Sequence, residues 1–194
     1  MKRAYVLELL NLYEPATADE IAYKKHMLDF VISNPDCFER TRATGHLTAS
    51  AWLLSKDRQK ALLMHHSKLN IWVQPGGHCD GESNVLAVAI KEAQEESGII
   101  EIAPLMHTIF DIDIHLIPEY KKIPAHYHYD IRFLLGATSD QSCIKNHESK
   151  ELRWIGKDRQ ELPTNETSII RMFEKWVAYT PAVSKPNAWH TKTE

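Results

Sequence analysis

The stretch GGHCDGESNVLAVAIKEAQEESGI, running from Gly76 to Ile99, constrains the fold of this 194-residue chain more tightly than any other. It begins with paired glycines after Pro75, passes through a short polar loop and settles into a helical rhythm that stops at Gly98. Leu86, Ala89, Ile90 and Ala93 fall at i, i+3, i+4 and i+7, the spacing of one buried helical face, so this helix must pack on something. Ser83 is the expected N-cap. Gly98 is the expected C-cap, because a left-handed residue there costs least without a Cβ.

Glu92, Glu95 and Glu96 are also spaced i, i+3 and i+4, which stands three carboxylates together on a second stripe of the helix. Like charges at this spacing repel by a few tenths of a kcal/mol per pair. A solvated acidic face tolerates that cost. A bound divalent cation gives a reason for it, since magnesium and manganese take carboxylate oxygens and keep water ligands that leave room for a substrate phosphate.

These residues resemble the Nudix hydrolase signature: Gly, five residues, Glu, seven residues, then Arg-Glu-hydrophobic-X-Glu-Glu-X-Gly-hydrophobic. Gly77 takes the first place, and Lys91, Glu92, Ala93, Glu95, Glu96, Gly98 and Ile99 follow in register. Two positions depart from it. Ser83, with Glu82 beside it, stands where the family has an isolated glutamate, and Lys91 stands where it has arginine, replacing a planar fork by a point charge. The resemblance implies a strand–loop–helix unit in which Glu92, Glu95 and Glu96, with a backbone carbonyl near Gly77, hold Mg2+ or Mn2+ over a diphosphate. It also implies a late acidic residue acting as ligand or general base. Glu148 and Glu151 are the candidates, with Glu148 favoured because Glu151 can simply begin a strand. Glu92 is the rival base.

Hydrophobic residues at 43% and charged residues at 25% are ordinary for a soluble globular chain. A net charge of -3 and a pI near 6.4 give no electrostatic footprint for a nucleic acid polymer, while small phosphorylated ligands stay open. Cys37, Cys79 and Cys143 form neither a disulfide framework nor a zinc-ligand pattern, and a reducing cytoplasm fits them best. Cys79, inside the glycine loop, reads as a packing residue because no adjacent base activates it. No run reaches membrane-spanning length, and the first residues lack a signal-peptide core.

Residues 1–42 read as a helical addition: one helix ends near Pro15, and a second opens on the capping box Thr17–Glu20 and carries an apolar stripe of Ile21, Leu28, Val31 and Ile32. It either packs on the core or makes a subunit contact in a homodimer. Leu47–Leu54 and Ala61–His65 read as a hairpin, and Trp72–Val73 as a short strand leading to the glycines. Two later strands, Leu105–Leu116 and His126–Leu135, alternate so that His107, Asp111, Asp113 and His115 share a face, as do His126, His128, Asp130 and Arg132. Paired about residues 120 and 121, they set His115 near His126 and Asp113 near His128. With His78 and Asp80 of the glycine loop, this face is a candidate substrate or second-metal site, with His78, His126, His128 and Arg132 as its substrate contacts; a solvent-facing polar sheet surface is the plain alternative. GGHCD and HYHYDIRF also resemble a Nudix subgroup with a GGHxD glycine loop. Trp52, Trp72 and Tyr129 are candidates for stacking on a base. Thr164 or Asn165 should cap a final helix, and 180–194 reads as a tail.

The expected fold is an α/β/α sandwich of the Nudix type, with a mixed sheet over 44–179. The expected activity is metal-dependent hydrolysis of a phosphoanhydride in a nucleoside diphosphate linked to another group, nucleoside triphosphates included. Two rivals are a nucleotide-binding sensor weakened by Ser83 and Lys91, and a zinc-dependent hydrolase using the histidine-rich face.

Overall fold

Gly45–Leu54 forms β1, buried along its whole length because other strands pair with it on both sides. The computed structural model describes residues 2–121 and 123–180; the expected tail lies, from 181 onward, outside the described residues. Ahead of β1 come α1 (Ala4–Leu12) and α2 (Ala18–Ser33). After it come β2 (Ala61–His66), β3 (Trp72–Val73), β4 (Gly76–His78), α3 (Val85–Ser97), β5 (Ile102–Pro104), β6 (Asp111–Ile117), β7 (His126–Ala137), β8 (Ser149–Ile155) and α4 (Thr167–Ala178). β1 pairs antiparallel with β2 and β4 and parallel with β7, from Gly45 opposite Tyr127 to Leu54 opposite Gly136. β5 and β6 pair antiparallel with β7, and β3 and β8 with β2, giving one mixed sheet. A parallel pair needs a long crossover, and the chain between β1 and β7, with α3 in it, supplies one.

Alternation along β1 divides the interior. Leu47, Ala49, Ala51 and Leu53 join Val85, Val88, Ala89 and Ala93 of α3 in one core, to which α1 and α2 contribute Val6, Leu9, Leu10, Met27 and Val31. Trp52, Leu54 and Leu134 meet Ile169, Met172, Phe173 and Trp176 of α4 in a second. Helices therefore cover both faces of the sheet, as the sandwich requires.

The helices are where expected but turned. The capping box of Thr17 and Glu20 forms, yet Ile21 and Ile32 are exposed, and Glu20, Met27, Phe30 and Val31 point inward. Glu20 is drawn in by hydrogen bonds from Tyr13 and Lys175. On α3 the buried stripe is Val85, Val88, Ala89, Ala93, Glu96 and Ser97, leaving Leu86 and Ile90 half-buried. Its N-cap is Asn84, whose Oδ1 accepts the Ala87 N–H at 3.1 Å, rather than Ser83. Gly98 closes it in the left-handed conformation, φ 73°. Residue Glu166 occupies the N-cap position of α4 without a side-chain cap, and Thr164 Oγ1 accepts its N–H instead.

The β6–β7 hairpin pairs His115 with His128 and Asp113 with Asp130, two residues from the expected register. An even slip preserves the faces. β6 begins only at Asp111, so His107 lies exposed outside the polar face.

Candidate metal and phosphate site

β4 runs against α3 with nothing between them. The Gly76 N–H donates to Glu96 Oε2 at 2.8 Å, and a Cβ on Gly77 would fall 2.5 Å from the Glu92 carboxyl carbon. Any side chain at 77 would therefore have to displace the carboxylate. Glu96 is 3% exposed, Glu92 is mostly covered, and Glu95 is open to solvent. Burial, reinforced by the charges of Glu92 and Glu148, pushes the Glu96 carboxyl up to about 8, against the hydrogen bond from Gly76. Burial raises Glu92 as well, with Lys91 opposing. Lys91 Nζ lies 3.3 Å from Glu92 Oε1 and 3.3 Å from Glu95 Oε2, so one exposed ammonium balances two of the three carboxylates.

Three oxygen-donor groups short of positive charge, one of them buried and held by a backbone amide, have the chemistry that a hard divalent cation takes, although their oxygens do not all stand within 4.8 Å of one another. Glu92, Glu95 and Glu96 would hold it, with the exposed rim at Glu95 left for water and phosphate.

The 138–148 segment is tied to the end of α3. Ile144 N–H donates to Ser97 O at 2.7 Å and Asn146 Nδ2 to Glu95 O at 3.4 Å. Glu148 thereby stands where its charge acts on both Glu92 and Glu96. Glu151 points away on β8, paired with Arg153 at 2.8 Å. Arg40, which lies in the expected helical addition and was not foreseen, pairs with Asp80 beside the glycine loop and feels Glu92 and Glu148. Its Nε and Nη2 both donate to the Asp80 carboxylate, which leaves Nη1 as the one nitrogen open to a phosphate.

Arg132, expected there, is withdrawn from that role. It is 2% exposed and held by Asp130 at 2.7 Å, Asp111 at 3.0 Å and Asp113 at 3.3 Å. Arg171 and Lys175 of α4 reach the same aspartates, while Thr48 and Ser50 donate hydroxyls to Asp130. The aspartate half of the expected polar face is thus an internal ion network that docks α4. Trp52 is also excluded from base recognition, being fully buried against Trp176. Tyr129 stacks on Phe30 at 3.9 Å, and Trp72 stacks on His65 under Arg153.

The histidine half behaves differently. His78 on β4, His46 on β1 and His128 on β7 come together, joined by His46, which sequence reasoning passed over. Its only sequence signal is the alternation His46, Thr48, Ser50 into the strand. Burial keeps all three neutral, lowering His128 to about 2 and His78 to about 4. His126 adjoins His46 and His128, its Nδ1 at 2.8 Å from the Pro124 carbonyl. Cys79 is buried, which raises its thiol pKa, as a packing residue's should be.

Residues 44–178 match the family model described as NUDIX domain. No curated protein sequence matches the chain significantly. Among solved structures, a MutT protein from Methanosarcina mazei Go1 superposes with a TM-score of 0.55 at 17% identity, covering 70% of this chain and 94% of that one. A Nudix hydrolase from M. smegmatis gives 0.52 at 18%, covering 73% and 91%. An Ap4A hydrolase from C. elegans in a binary complex gives 0.51 at 17%, covering 68% and 95%. At these identities the likeness is one of fold. No helix among the described residues is long and apolar enough to cross a membrane.

Proposed function

The chain belongs to the NUDIX domain family, and on that premise we propose that it is a metal-dependent hydrolase cleaving a phosphoanhydride in a nucleoside diphosphate linked to another group, nucleoside triphosphates included. The observation that carries this is the contact between the glycine loop and the acidic helix: Gly76 holds Glu96, and Gly77 leaves room for Glu92. A loop and helix fitted together in this way support the reading, since a solvated acidic face would not need Gly77, while Gly76 is also required by its approach to Ser50 of β1.

Magnesium or manganese, when bound, neutralises phosphate oxygens and lowers the pKa of a bound water. The chain's own groups do the rest. Glu96 and Glu95 supply the main ligand oxygens, and Glu96 is oriented by the Gly76 amide. Glu92 or Glu148 receives the proton of the attacking water, each lying close enough to the other for its charge to be felt. Arg40, its Nε and Nη2 closed on the Asp80 carboxylate, keeps Nη1 for the diphosphate on the glycine-loop side. The GGHCD loop, with His78 at its centre, supports placing the chain in a GGHxD subgroup.

A catalytically weakened sensor is the second reading, favoured by Ser83 and Lys91. A panel of nucleoside triphosphates, nucleotide sugars and dinucleotides, assayed for phosphate or pyrophosphate release with magnesium or manganese, separates the two. Release abolished by Glu96→Gln supports hydrolysis; nucleotide binding without release, with turnover appearing in Ser83→Glu, supports the sensor.

A further inference from the structure

We propose that His46, His78 and His128 form a second cation site, separate from the glutamate box, that takes a zinc-class transition metal. Three adjacent strands each direct one imidazole to a common point. β4 brings His78, β1 brings His46, and β7 brings His128, which lies directly opposite His46 in the parallel register. The ring centroids form a nearly equilateral triangle of 5.0, 4.8 and 5.0 Å. One ligand nitrogen from each lies within 4.8 Å of the other two, the one such group of three among the described residues.

An independent observation points to a ligand there. His46 is 2% exposed, and among the described residues neither of its ring nitrogens has a hydrogen-bond partner of good geometry, the nearby Arg42 backbone acting on the ring only weakly; Nε2 of His128 is buried without a described partner as well. Buried polar nitrogens left unpaired are costly and rare in ordinary folds, so a fold that gathers several at one point has another use for them. Imidazole nitrogen suits zinc, copper, nickel and iron, and three histidines are the ligand count of an open zinc centre with one position left over. Magnesium, which demands oxygen, is not suited to it.

The surroundings resemble the supporting groups of such centres. His126, with ring centroid 5.1 Å from His46 and 5.2 Å from His128, has its Nδ1 beside the Pro124 carbonyl, an arrangement that fixes an Nδ1–H tautomer and leaves Nε2 as a lone pair. It is the candidate to fill the fourth position. His115, 5.5 Å from His128, is engaged with Asp113 at 3.0 Å and stays outside the ligand set. Because His78 follows Gly77 directly, a cation held here would pin the strand that positions the glutamate box.

The test is titration of the metal-stripped full chain with Co2+, followed by visible absorption and calorimetry, and repeated with Zn2+ in competition. We expect one equivalent with the d–d bands of a nitrogen-rich, low-symmetry site, displaced by Zn2+ and indifferent to excess Mg2+. His78→Gln and His128→Gln should each weaken binding by more than the roughly 10–100-fold that loss of a mere supporting group costs. Glu95→Gln/Glu96→Gln should leave the bands unchanged, which separates this site from the box. Should buried His128→Gln fail to fold by circular dichroism, the half-buried His78→Gln decides alone. Absence of cobalt bands in the folded wild type, or bands lost in the glutamate variant and kept in His78→Gln, would overturn the proposal.

Discussion

At the scale of single residues, the two glycines at 76 and 77 do different work, and only one of them is a matter of the carboxylates' room. Gly76 contributes an amide to Glu96 and a close approach to β1, where a Cβ would fall 2.2 Å from Ser50 Cβ, whereas Gly77 contributes the lack of a side chain beside the Glu92 carboxylate. Gly77→Ala should therefore leave the fold standing and push the Glu92 carboxylate aside, since that side chain is the movable partner. A displacement of about 1 Å at a reacting centre costs on the order of 100-fold. The expected outcome is a loss of that size in kcat with little change in Tm. A large drop in Tm instead would show that Glu92 is too firmly held to yield. Sequence made the glycine legible through its place in the signature, but the motif does not say which atom excludes a side chain there.

At the scale of elements, the chain's strands and helices were readable wherever the pattern is local. The capping box of α2 and the glycine stop of α3 are examples, because each is decided within four residues. What escaped was decided at a distance. The parallel pairing of β1 with β7 brings His46 to His128 across more than eighty residues, and no periodicity announces it. The hairpin register was missed by two residues because the connection between β6 and β7 closes through the Tyr120–Ile123 bridge, shifting the turn centre. Even so, the face assignment survived, as an even slip requires. The start of α3 is a finer case, since Ser83 and Asn84 are both good caps and backbone geometry chose Asn84. Asn84→Ala should cost about 1 kcal/mol of unfolding free energy and Ser83→Ala less than about 0.5 kcal/mol, measured by urea midpoints at constant m. The opposite order would return the cap to Ser83.

At the scale of the whole molecule, the N-terminal helices and α4 are joined through one buried network. Glu20 of α2, 0% exposed, meets Lys175 of α4 and Tyr13, and Lys175 also reaches Asp111 of β6. Burial works to raise the Glu20 pKa, but the hydrogen bonds from Lys175 and Tyr13 together with the Lys175 charge outweigh it and bring it from 4.5 down to about 2. A depressed folded pKa contributes stability that is whole above pH 4.5 and lost as pH falls toward 2. Glu20→Gln should accordingly be less stable than wild type at pH 7, with the gap closing on acidification; a gap independent of pH would assign the loss to packing alone. The same geometry bears on whether 1–42 is an addition or part of the domain. The family match begins at residue 44, and by that boundary the remainder should fold unaided. Yet Val6, Leu9, Leu10, Met27, Phe30 and Val31 are buried in the same core as β1 and α3. Removing them would open that core to water along the α1 and α2 side. Removing 1–42 would also strip Glu20 and Tyr13 from Lys175. The truncated chain should lose its cooperative thermal transition and bind a hydrophobic dye, and adding residues 1–42 back as a separate peptide should restore the transition and abolish the dye binding. A cooperative transition within a few degrees of the full chain's would show instead that the match boundary is also a folding boundary.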